Sequence, residues 1–316
     1  MKQIIFHKEK TVEVTDREFP RDKLGNSAIG GKTLFSLISA GTEINSLYLN
    51  AQNGQYPKFA GYAAVFEVDY VGSETSGFSV GDIAYCSGLH ASYQITDYRR
   101  AIKVPAHVQP HEALFIRMAA VSMATLSRTA VRPGGHVLVT GLGTVGIMAM
   151  QAYNNCGYHV VGTDIDLNRV EIAKKMTGLP ADTKVDEKYA ETFELALECS
   201  GTQQATLECC RLLKKEGEIS LVGVPWAKTG DVHSYEILNP IFIKFLKCYT
   251  GWEANLSIDL RIEHMKLAMK WLKEKKLTVN GLYAIYPYKD AQVIYDSIYN
   301  KTEKHLSVIF NWEESV

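Results

Sequence analysis

The fold of this chain is decided by residues 137–146, which read Val137-Leu138-Val139-Thr140-Gly141-Leu142-Gly143-Thr144-Val145-Gly146. An apolar run typical of a buried strand ends at Thr140, and glycines spaced as G-x-G-x-x-G follow at once. In such a turn from strand to helix, the first glycine makes the tight turn, the second lets the backbone approach a pyrophosphate, and the third lets helix and strand pack closely. This context predicts a dinucleotide-binding loop made of Gly141, Leu142, Gly143, Thr144, Val145 and Gly146.

The next strand ends at an acid, which bears on the choice of dinucleotide. Residues 160–163 are apolar or small, and Asp164 follows them about 20 residues beyond the loop. A carboxylate at this place can accept hydrogen bonds from the adenosine ribose and repels a 2′-phosphate. Asp166 adds a second negative charge before the first base, Arg169. The sequence therefore predicts NAD(H) rather than NADP(H), with Asp164, Ile165 and Arg169 beside the adenosine.

Strands and helices alternate around the loop, as in a doubly wound parallel sheet. The expected strands are 136–140, 159–163, 195–198 and 218–222, and the expected helices are 144–156, 167–176 and 202–215. Before residue 118 the chain has short β-rich runs broken by turn residues, and a helix is expected at 118–130. The fold class is thus α/β, with a Rossmann sheet, a β-rich domain and a boundary near residue 118. After residue 250 we expect a helix at 263–275 and strands at 282–286 and 306–310.

Composition and charge limit the classes of protein that this chain can represent. Its 316 residues suffice for about two domains, and no stretch reaches the roughly 18 apolar residues of a membrane span. The 34 basic residues balance 35 acidic ones, which gives no electrostatic case for binding nucleic acid or a membrane surface. Early charges at Lys2 and Lys8 argue against a secretory segment, so a cytoplasmic location is expected. The six cysteines lack a C-x-x-C pair and are expected to be buried free thiols.

Several local motifs resemble the medium-chain dehydrogenase/reductase superfamily over nearly the whole chain. They are Gly61 before a strand, Val80-Gly81-Asp82, Arg132-Pro133-Gly134-Gly135, Glu198-Cys199-Ser200-Gly201 and Val222-Gly223-Val224-Pro225. The resemblance implies a GroES-like substrate domain made of 1–118 and 253–316 and a Rossmann domain at 119–252. It also implies that further residues bind the cofactor, namely Cys199, Ser200, Gly201, Val222, Gly223 and Val224. A homodimer is the default, with the strand-like run 241–249 near the two-fold axis.

The sequence departs from the zinc alcohol dehydrogenases of this superfamily at each metal-binding position. The run Ser39-Ala40-Gly41-Thr42-Glu43 has Ala40 where those enzymes have a cysteine, and Tyr62 and Ile116 stand at the other two ligand positions. Catalytic zinc needs about three nitrogen, sulfur or oxygen ligands from the protein. No zinc is therefore expected. The same run is similar to the zinc-lacking subgroup that includes bacteriochlorophyllide hydroxyethyl dehydrogenases and threonine-dehydrogenase-like proteins.

Without a metal, a substrate carbonyl must be polarised by hydrogen bonds from the protein. The candidate catalytic residues are Tyr62, His90, Thr42 and Glu43, with Tyr93 and Arg117 beside them. Tyr62 leads because it occupies the position of a zinc ligand. Each candidate also has a structural alternative, since Tyr62 can form an apolar wall, His90 can cap a turn and Glu43 can be a polar wall residue.

Three functions remain open, and each takes a small molecule as its partner. The first is a zinc-independent, NAD(H)-dependent oxidoreductase that interconverts an alcohol and a ketone or aldehyde. The second is an NAD(P)H-dependent reductase of an activated C=C bond, which Asp164 disfavours because such enzymes usually prefer NADPH. The third is a dinucleotide-binding redox sensor without catalysis.

Overall fold

The computed structural model describes residues 1–186, 189–226 and 230–313, which form two compact units. One unit comprises Met1–Arg117 and Gly281–Val316, and the other comprises Met118–Asn280. The division lies next to the boundary that we expected near residue 118. Residues 253–280, which we expected in the substrate domain, group with the second unit instead.

The first part of the strand-rich unit contains eight strands and short helical segments. The strands are β1 (Lys2–Lys8), β2 (Thr11–Asp16), β3 (Ala28–Leu37), β4 (Lys58–Phe59), β5 (Ala63–Val71), β6 (Ile83–Cys86), β7 (Tyr93–Asp97) and β8 (Ile102–Lys103). The helices are α1 (Ala40–Thr42), a π-helix at Glu43–Tyr48, α2 (Pro110–Ala113) and the start of α3 (Ile116–Met123). Single 3₁₀ turns lie at Arg21–Lys23 and Tyr98–Arg100.

The second unit alternates strands and helices along its whole length. The strands are β9 (His136–Thr140), β10 (His159–Thr163), β11 (Ala181–Asp182), β12 (Phe193–Glu198), β13 (Leu213–Leu221) and β14 (Lys247–Thr250). The helices are α4 (Thr144–Asn155), α5 (Leu167–Thr177), α6 (Gln203–Leu212), α7 (Ser234–Ile243) and α8 (Ile258–Lys273), with 3₁₀ turns at Ala124–Ser127 and Glu253–Asn255. The sheet order is β11-β10-β9-β12-β13-β14, and every pair is parallel. This is the Rossmann order, so the predicted doubly wound sheet is confirmed.

The chain ends in the strand-rich unit with β15 (Tyr283–Pro287), a 3₁₀ turn at Tyr288–Asp290, α9 (Ala291–Tyr299) and β16 (Ser307–Asn311). Strand β16 pairs with β3 and β15, which completes a seven-stranded sheet in which β3 also pairs with β5 and β7. A smaller sheet has the order β2-β1-β4. The side chains of β1, β16 and α9 share one core, in which Phe6, Tyr295 and Phe310 are fully buried.

Helix α8 belongs to the second unit because its own contacts hold it there. Ser127 Oγ lies 3.1 Å from His264 Nε2. Farther along, Gln151 exchanges two hydrogen bonds with the backbone of Thr278, and Asn155 donates to the carbonyl of Lys276. The amphipathic helix that the sequence predicts at 263–275 is thus present, but it groups with the unit that contains the Rossmann sheet.

Two other expected elements are different in the structure. The strand-like run 241–249 is helical as far as Ile243, and its strand begins only at Lys247. The apolar residues Ile237 and Ile241 are four apart, which puts both on the one side of α7 that packs on the sheet core. The helix expected at 118–130 begins at Ile116 and changes to a 3₁₀ turn after Met123, where the hydroxyl of Thr125 bonds to Ser220.

All six cysteines are free, but burial is not uniform among them. Cys86, Cys209 and Cys210 are buried as expected, whereas Cys156 and Cys199 are partly buried and Cys248 is exposed on β14. Within the described residues, no helix is both long and apolar enough to cross a membrane.

Candidate active site

The glycine loop lies between β9 and α4, and its two outer glycines are required by close backbone packing. Gly141 has a φ of +83°, and a Cβ added there would lie 2.7 Å from the backbone nitrogen of Ser200. A Cβ on Gly146 would lie 2.0 Å from the carbonyl oxygen of Gly141. At Gly143 an added Cβ meets nothing within 4 Å. The middle glycine thus faces open space at the positive end of the twelve-residue helix α4.

Asp164 ties the loop to the end of the neighbouring strand. Its Oδ2 accepts a 2.7 Å hydrogen bond from the backbone of Leu142, and its Oδ1 accepts one of 2.9 Å from the backbone of Asp166. Arg169 lies 3.6 Å from Oδ2. The carboxylate is 8% exposed, whereas the adjacent Ile165 is 97% exposed. An apolar side chain standing fully in solvent beside this acid fits a surface that a flat ring system would cover.

The ends of β12 and β13 meet the loop from the other side. Glu198 accepts hydrogen bonds from the backbone of Ser200 at 2.7 Å and of Gly201 at 3.0 Å, and its carbonyl accepts from Val222 and Gly223. A Cβ on Gly201 would lie 2.4 Å from the carbonyl oxygen of Val224. The motif residues of β12 and β13 are therefore packed backbone against backbone at the carboxyl edge of the sheet.

Burial shifts the pKa of two groups at this edge. It raises the pKa of the Glu198 carboxyl, although hydrogen bonds from Ser200 and Gly201 oppose the rise. Burial also raises the pKa of the Cys199 thiol, which keeps the thiol protonated and weakly nucleophilic. A recess beside Glu198 is lined by Thr202, Gln203, Thr206, Gly223 and Pro225.

In the strand-rich unit, Tyr62 lies against a cation. The Arg117 guanidinium carbon is 4.6 Å from the centroid of the Tyr62 ring, and both side chains are partly exposed. The preceding Gly61 has a φ of +133°, and a Cβ there would lie 2.2 Å from the Cα of Leu89. Close packing of these two backbones therefore fixes the place of Tyr62.

Glu43 and His90 are brought together, but in the interior of this unit. His90 has no exposed surface and Glu43 is 2% exposed, and His90 Nε2 lies 3.2 Å from Glu43 Oε2. Glu43 also accepts hydrogen bonds from the backbone of Ser39 at 3.0 Å and from the hydroxyl of Tyr295. Neither side chain reaches solvent, whereas we expected both to lie beside a substrate.

The remaining candidates are on the surface. Thr42 is exposed at the end of α1, immediately before the buried Glu43. The hydroxyl of Tyr93 donates to Asp69, and its ring packs on Phe19 at 4.9 Å between centroids. Of the four predicted catalytic residues, Thr42 and Tyr62 are therefore the two with solvent access.

Three residues in the hydrogen-bond network of Glu43 and His90 were missed by sequence reasoning. Tyr295 donates to Glu43, Ser36 contacts His90, and Trp312 donates to Ser36. Tyr295 is 252 positions from Glu43, and Trp312 is 276 positions from Ser36. No local motif marks such pairs.

The residues at the three zinc positions do not fit a zinc ion. Ala40 offers no side-chain donor, Ile116 is fully buried and apolar, and the Tyr62 ring lies under the Arg117 cation. Among residues 1–186, 189–226 and 230–313, no group of three or more His, Cys, Asp and Glu side chains could hold a metal ion.

Comparisons with known proteins show which proteins this chain is similar to. A family model described as zinc-binding dehydrogenase matches residues 144–250. L-threonine 3-dehydrogenase of Paraburkholderia xenovorans (strain LB400) is 28% identical over 215 residues, 55% of this chain, and the chain spans only 62% of that relative's length. L-threonine 3-dehydrogenase of Aeromonas hydrophila is 28% identical over 283 residues, which are 75% of this chain and 81% of that protein.

The fold is also shared with a solved structure. Galactitol-1-phosphate dehydrogenase from Escherichia coli superposes with a TM-score of 0.83 at 18% identity, over 98% of this chain and 100% of that one. The likeness extends to both units, so the predicted pairing of a Rossmann sheet with a strand-rich, GroES-like domain is confirmed. The sheet order, the glycine loop and these relatives support the resemblance of the chain to the medium-chain dehydrogenase/reductase superfamily.

Proposed function

We propose that this protein is a zinc-independent, NAD(H)-dependent oxidoreductase that interconverts an alcohol and a ketone or aldehyde. The observation that carries the proposal is the open space at Gly143 at the start of α4, with Asp164 accepting from the backbone N–H of the neighbouring Leu142. L-threonine 3-dehydrogenases and galactitol-1-phosphate dehydrogenase, to which the chain is similar, are dehydrogenases by name. They support a CH–OH substrate, whose identity stays open.

The chain offers a coherent set of groups for the dinucleotide. The backbone at Gly143, Thr144 and Val145 is the proposed cradle of the pyrophosphate, because the N–H groups of a helix start favour an anion. Asp164 and Ile165 are proposed for the adenosine, the first as a ribose acceptor and the second as an apolar surface. Cys199 to Gly201 and Val222 to Val224 complete the cofactor side at the ends of β12 and β13. When bound, the nicotinamide supplies or accepts the hydride.

The proton and the developing negative charge are assigned to hydroxyl groups of the strand-rich unit. Tyr62 is the proposed donor to the substrate oxygen, and Thr42 is the second exposed hydroxyl residue that can take this role. A preorganised donor stabilises an alkoxide more strongly in the transition state than in the ground state. His90 and Glu43 are proposed to support these residues from the interior rather than to touch substrate.

The matching family model is described as zinc-binding dehydrogenase, but the side chains at the three expected ligand positions of this chain differ from zinc ligands. Ala40, Tyr62 and Ile116 supply no tetrahedral ligand set, and we derive no step through a metal. Hydrogen bonding to the substrate oxygen is the proposed substitute.

We further propose a homodimer in a reducing, cytoplasmic compartment. No residue of α7 is fully buried: Ile237 and Ile241 pack on the sheet core, whereas Leu238 and Phe242 on the helix and Phe245 after it are 61%, 82% and 65% exposed. The strand β14 that comes next is at the edge of the described sheet, and together they offer a surface that a second copy can cover. The six free cysteines fit a reducing compartment. Light scattering of the purified protein measures the oligomer.

The experiment that tests the function is a turnover panel. Purified protein is mixed with NADH or NADPH and a series of ketones, aldehydes and enones, and nicotinamide absorbance is followed. Turnover of ketones with NADH supports the proposal. Turnover confined to enones replaces it with reduction of an activated C=C bond, and tight NADH binding without any turnover replaces it with a redox sensor.

A further inference from the structure

Helix α9 contacts both ends of the π-helix Glu43–Tyr48 through two consecutive residues. The hydroxyl of Tyr295 donates to Glu43 at the start of the π-helix, and Asp296 accepts from the hydroxyl of Tyr48 at its end. The rings of Tyr48 and Tyr295 are stacked, with 6.3 Å between centroids and 16° between planes. A π-helix is rare and is found often at functional sites. Here it begins directly after the exposed Thr42.

The Glu43 carboxylate is held by three donors. Oε1 accepts from the backbone of Ser39, and Oε2 accepts from Tyr295 and lies 3.2 Å from His90 Nε2. A buried carboxylate is costly unless such donors replace water. Burial and the nearby Glu43 raise the pKa of Tyr295, so its hydroxyl keeps its proton and remains a donor.

His90 receives its own support from the end of the chain. Ser36 Oγ lies 2.7 Å from His90 Nδ1 and accepts a 2.7 Å hydrogen bond from the indole N–H of Trp312. With Ser36 donating to Nδ1, His90 donates from Nε2 to Glu43. Each hydrogen bond in the series then runs from donor to acceptor in the same direction, from Trp312 through Ser36 and His90 to Glu43.

Both exposed hydroxyl residues are next to members of this buried network. Glu43 follows Thr42 in the sequence, and its amide donates to the Ser39 carbonyl at 2.7 Å, which closes the turn around Thr42. The backbone of His90 donates to Ala60 at 2.8 Å, two residues before Tyr62. A displacement of Glu43 or His90 therefore moves Thr42 or Tyr62, the two residues that are proposed to donate to the substrate oxygen.

We propose that Tyr295 is a positioning residue for the alcohol–ketone reaction and that it acts through Glu43 on the Thr42 turn. Helix α9 would then contribute to catalysis without contacting substrate. This rests on the proposed function. Tyr295 touches no substrate; its hydroxyl holds a carboxylate that holds the turn. Small misplacements of reacting groups are sufficient to lower turnover by about a hundredfold.

The test compares Tyr295→Phe with Tyr48→Phe. Each variant removes one hydroxyl from the same stacked pair of rings and one hydrogen bond between α9 and the π-helix, but only the first bond ends on Glu43. We expect Tyr295→Phe to lower kcat by ~10- to 100-fold with KM and NADH affinity nearly unchanged. Tyr48→Phe should stay within about twofold of the unmodified kcat, with melting temperatures of the two variants alike. Equal kcat in both variants overturns the proposal.

A double-mutant cycle tests whether the hydroxyl acts through the carboxylate. In a Glu43→Gln background, Tyr295→Phe should cause little further loss of kcat, because the charged acceptor is already gone. Full additivity of the two losses overturns the route through Glu43.

A readout without activity separates failure of this proposal from failure of the proposed function. If the unmodified protein turns over no alcohol or ketone, the proposed function fails, and hydrogen exchange at the Glu43 amide then decides whether Tyr295 holds the Thr42 turn through Glu43. Faster exchange in Tyr295→Phe than in Tyr48→Phe supports it, and equal exchange in both variants overturns it.

Discussion

The backbone N–H of Leu142 donates a 2.7 Å hydrogen bond to Oδ2 of Asp164, so the acid at the end of β10 is bonded to the glycine loop of β9 and α4. A carboxylate in this position serves two purposes at once. It holds the loop through the backbone of Leu142, and it presents negative charge where an adenosine ribose is proposed to lie. Its removal therefore affects both the loop and the choice of dinucleotide.

We predict that NADH binds more tightly than NADPH and that Asp164→Ser reduces the difference in affinity between the two dinucleotides. The lost hydrogen bond to a charged group is worth roughly 1.5–3 kcal/mol, which corresponds to about a tenfold to hundredfold change in the ratio of dissociation constants. Asp164→Asn is the matched control, because its amide oxygen can still accept from Leu142 while the charge is gone. Fluorescence titration measures both ligands, and equal affinity of the unmodified protein for the two would contradict the prediction.

We predict that Gly143→Val abolishes NADH binding but leaves the fold intact. Gly143 has a φ of −73°, which any residue adopts, and an added Cβ meets nothing within 4 Å. The new side chain would instead fill the space proposed for the pyrophosphate. Gly146→Ala is the opposite case, because its Cβ would lie 2.0 Å from the Gly141 carbonyl oxygen. Thermal melting should show a lowered melting temperature only for Gly146→Ala. Normal NADH binding by Gly143→Val would refute the assignment of the loop to the pyrophosphate.

We predict that the purified protein contains no stoichiometric zinc and keeps its activity in a chelator. The reason is the donor set, since Ala40 and Ile116 have no ligand atom in their side chains. Elemental analysis and an assay after dialysis against EDTA measure this. About one zinc per chain, together with loss of turnover on chelation, would require ligands other than the three that the resemblance indicates.

The Rossmann half was predictable because its signals are local. The strands at His136–Thr140 and His159–Thr163 have the bounds that the sequence predicts, since each is an apolar run that stops at a glycine loop or an acid. The contact of Gly141 with Ser200 follows from parallel strands that end at one edge. The same local reasoning failed for 241–249, where short apolar runs interrupted by Lys244 and Lys247 suit a strand and a helix equally.

The interior of the strand-rich unit was not predictable in the same way. Sequence reasoning named Glu43 and His90 as candidate catalytic residues, each with a structural alternative, but it could not decide between the two roles. Their burial depends on Tyr295 and Trp312, which come from the last segments of the chain. Contacts across such separations leave no periodic signal, so motif and period could name the residues but could not place them.

We predict that His264 makes stability depend on pH. Burial lowers the pKa of His264 below its ordinary value of 6.5, so the unfolded chain takes up this proton more readily than the folded one. Its contribution is complete above about pH 6.5 and is lost progressively as the pH falls from there toward the folded pKa. The variant His264→Gln should therefore show a melting temperature that falls less between about pH 7.5 and 5.5 than that of the unmodified protein. Parallel curves would remove His264 as the cause.

We predict that Tyr62→Phe lowers turnover by ~100-fold while NADH binding stays unchanged. The substitution keeps the aromatic ring that lies 4.6 Å from the Arg117 guanidinium, so the packing beside Gly61 is preserved and only the hydroxyl is lost. A phenol has an ordinary pKa of about 10 and is a suitable donor to an alkoxide. The alternative is that Tyr62 only forms a wall against a bulky substrate, in which case Tyr62→Phe has normal kcat. Thr42→Val is measured in parallel. It replaces the hydroxyl of the second proposed donor by a methyl group of similar size. A normal kcat in Tyr62→Phe with a large loss in Thr42→Val would assign the donor role to Thr42, and it would make the turn held by Glu43 and Tyr295 the catalytic element itself.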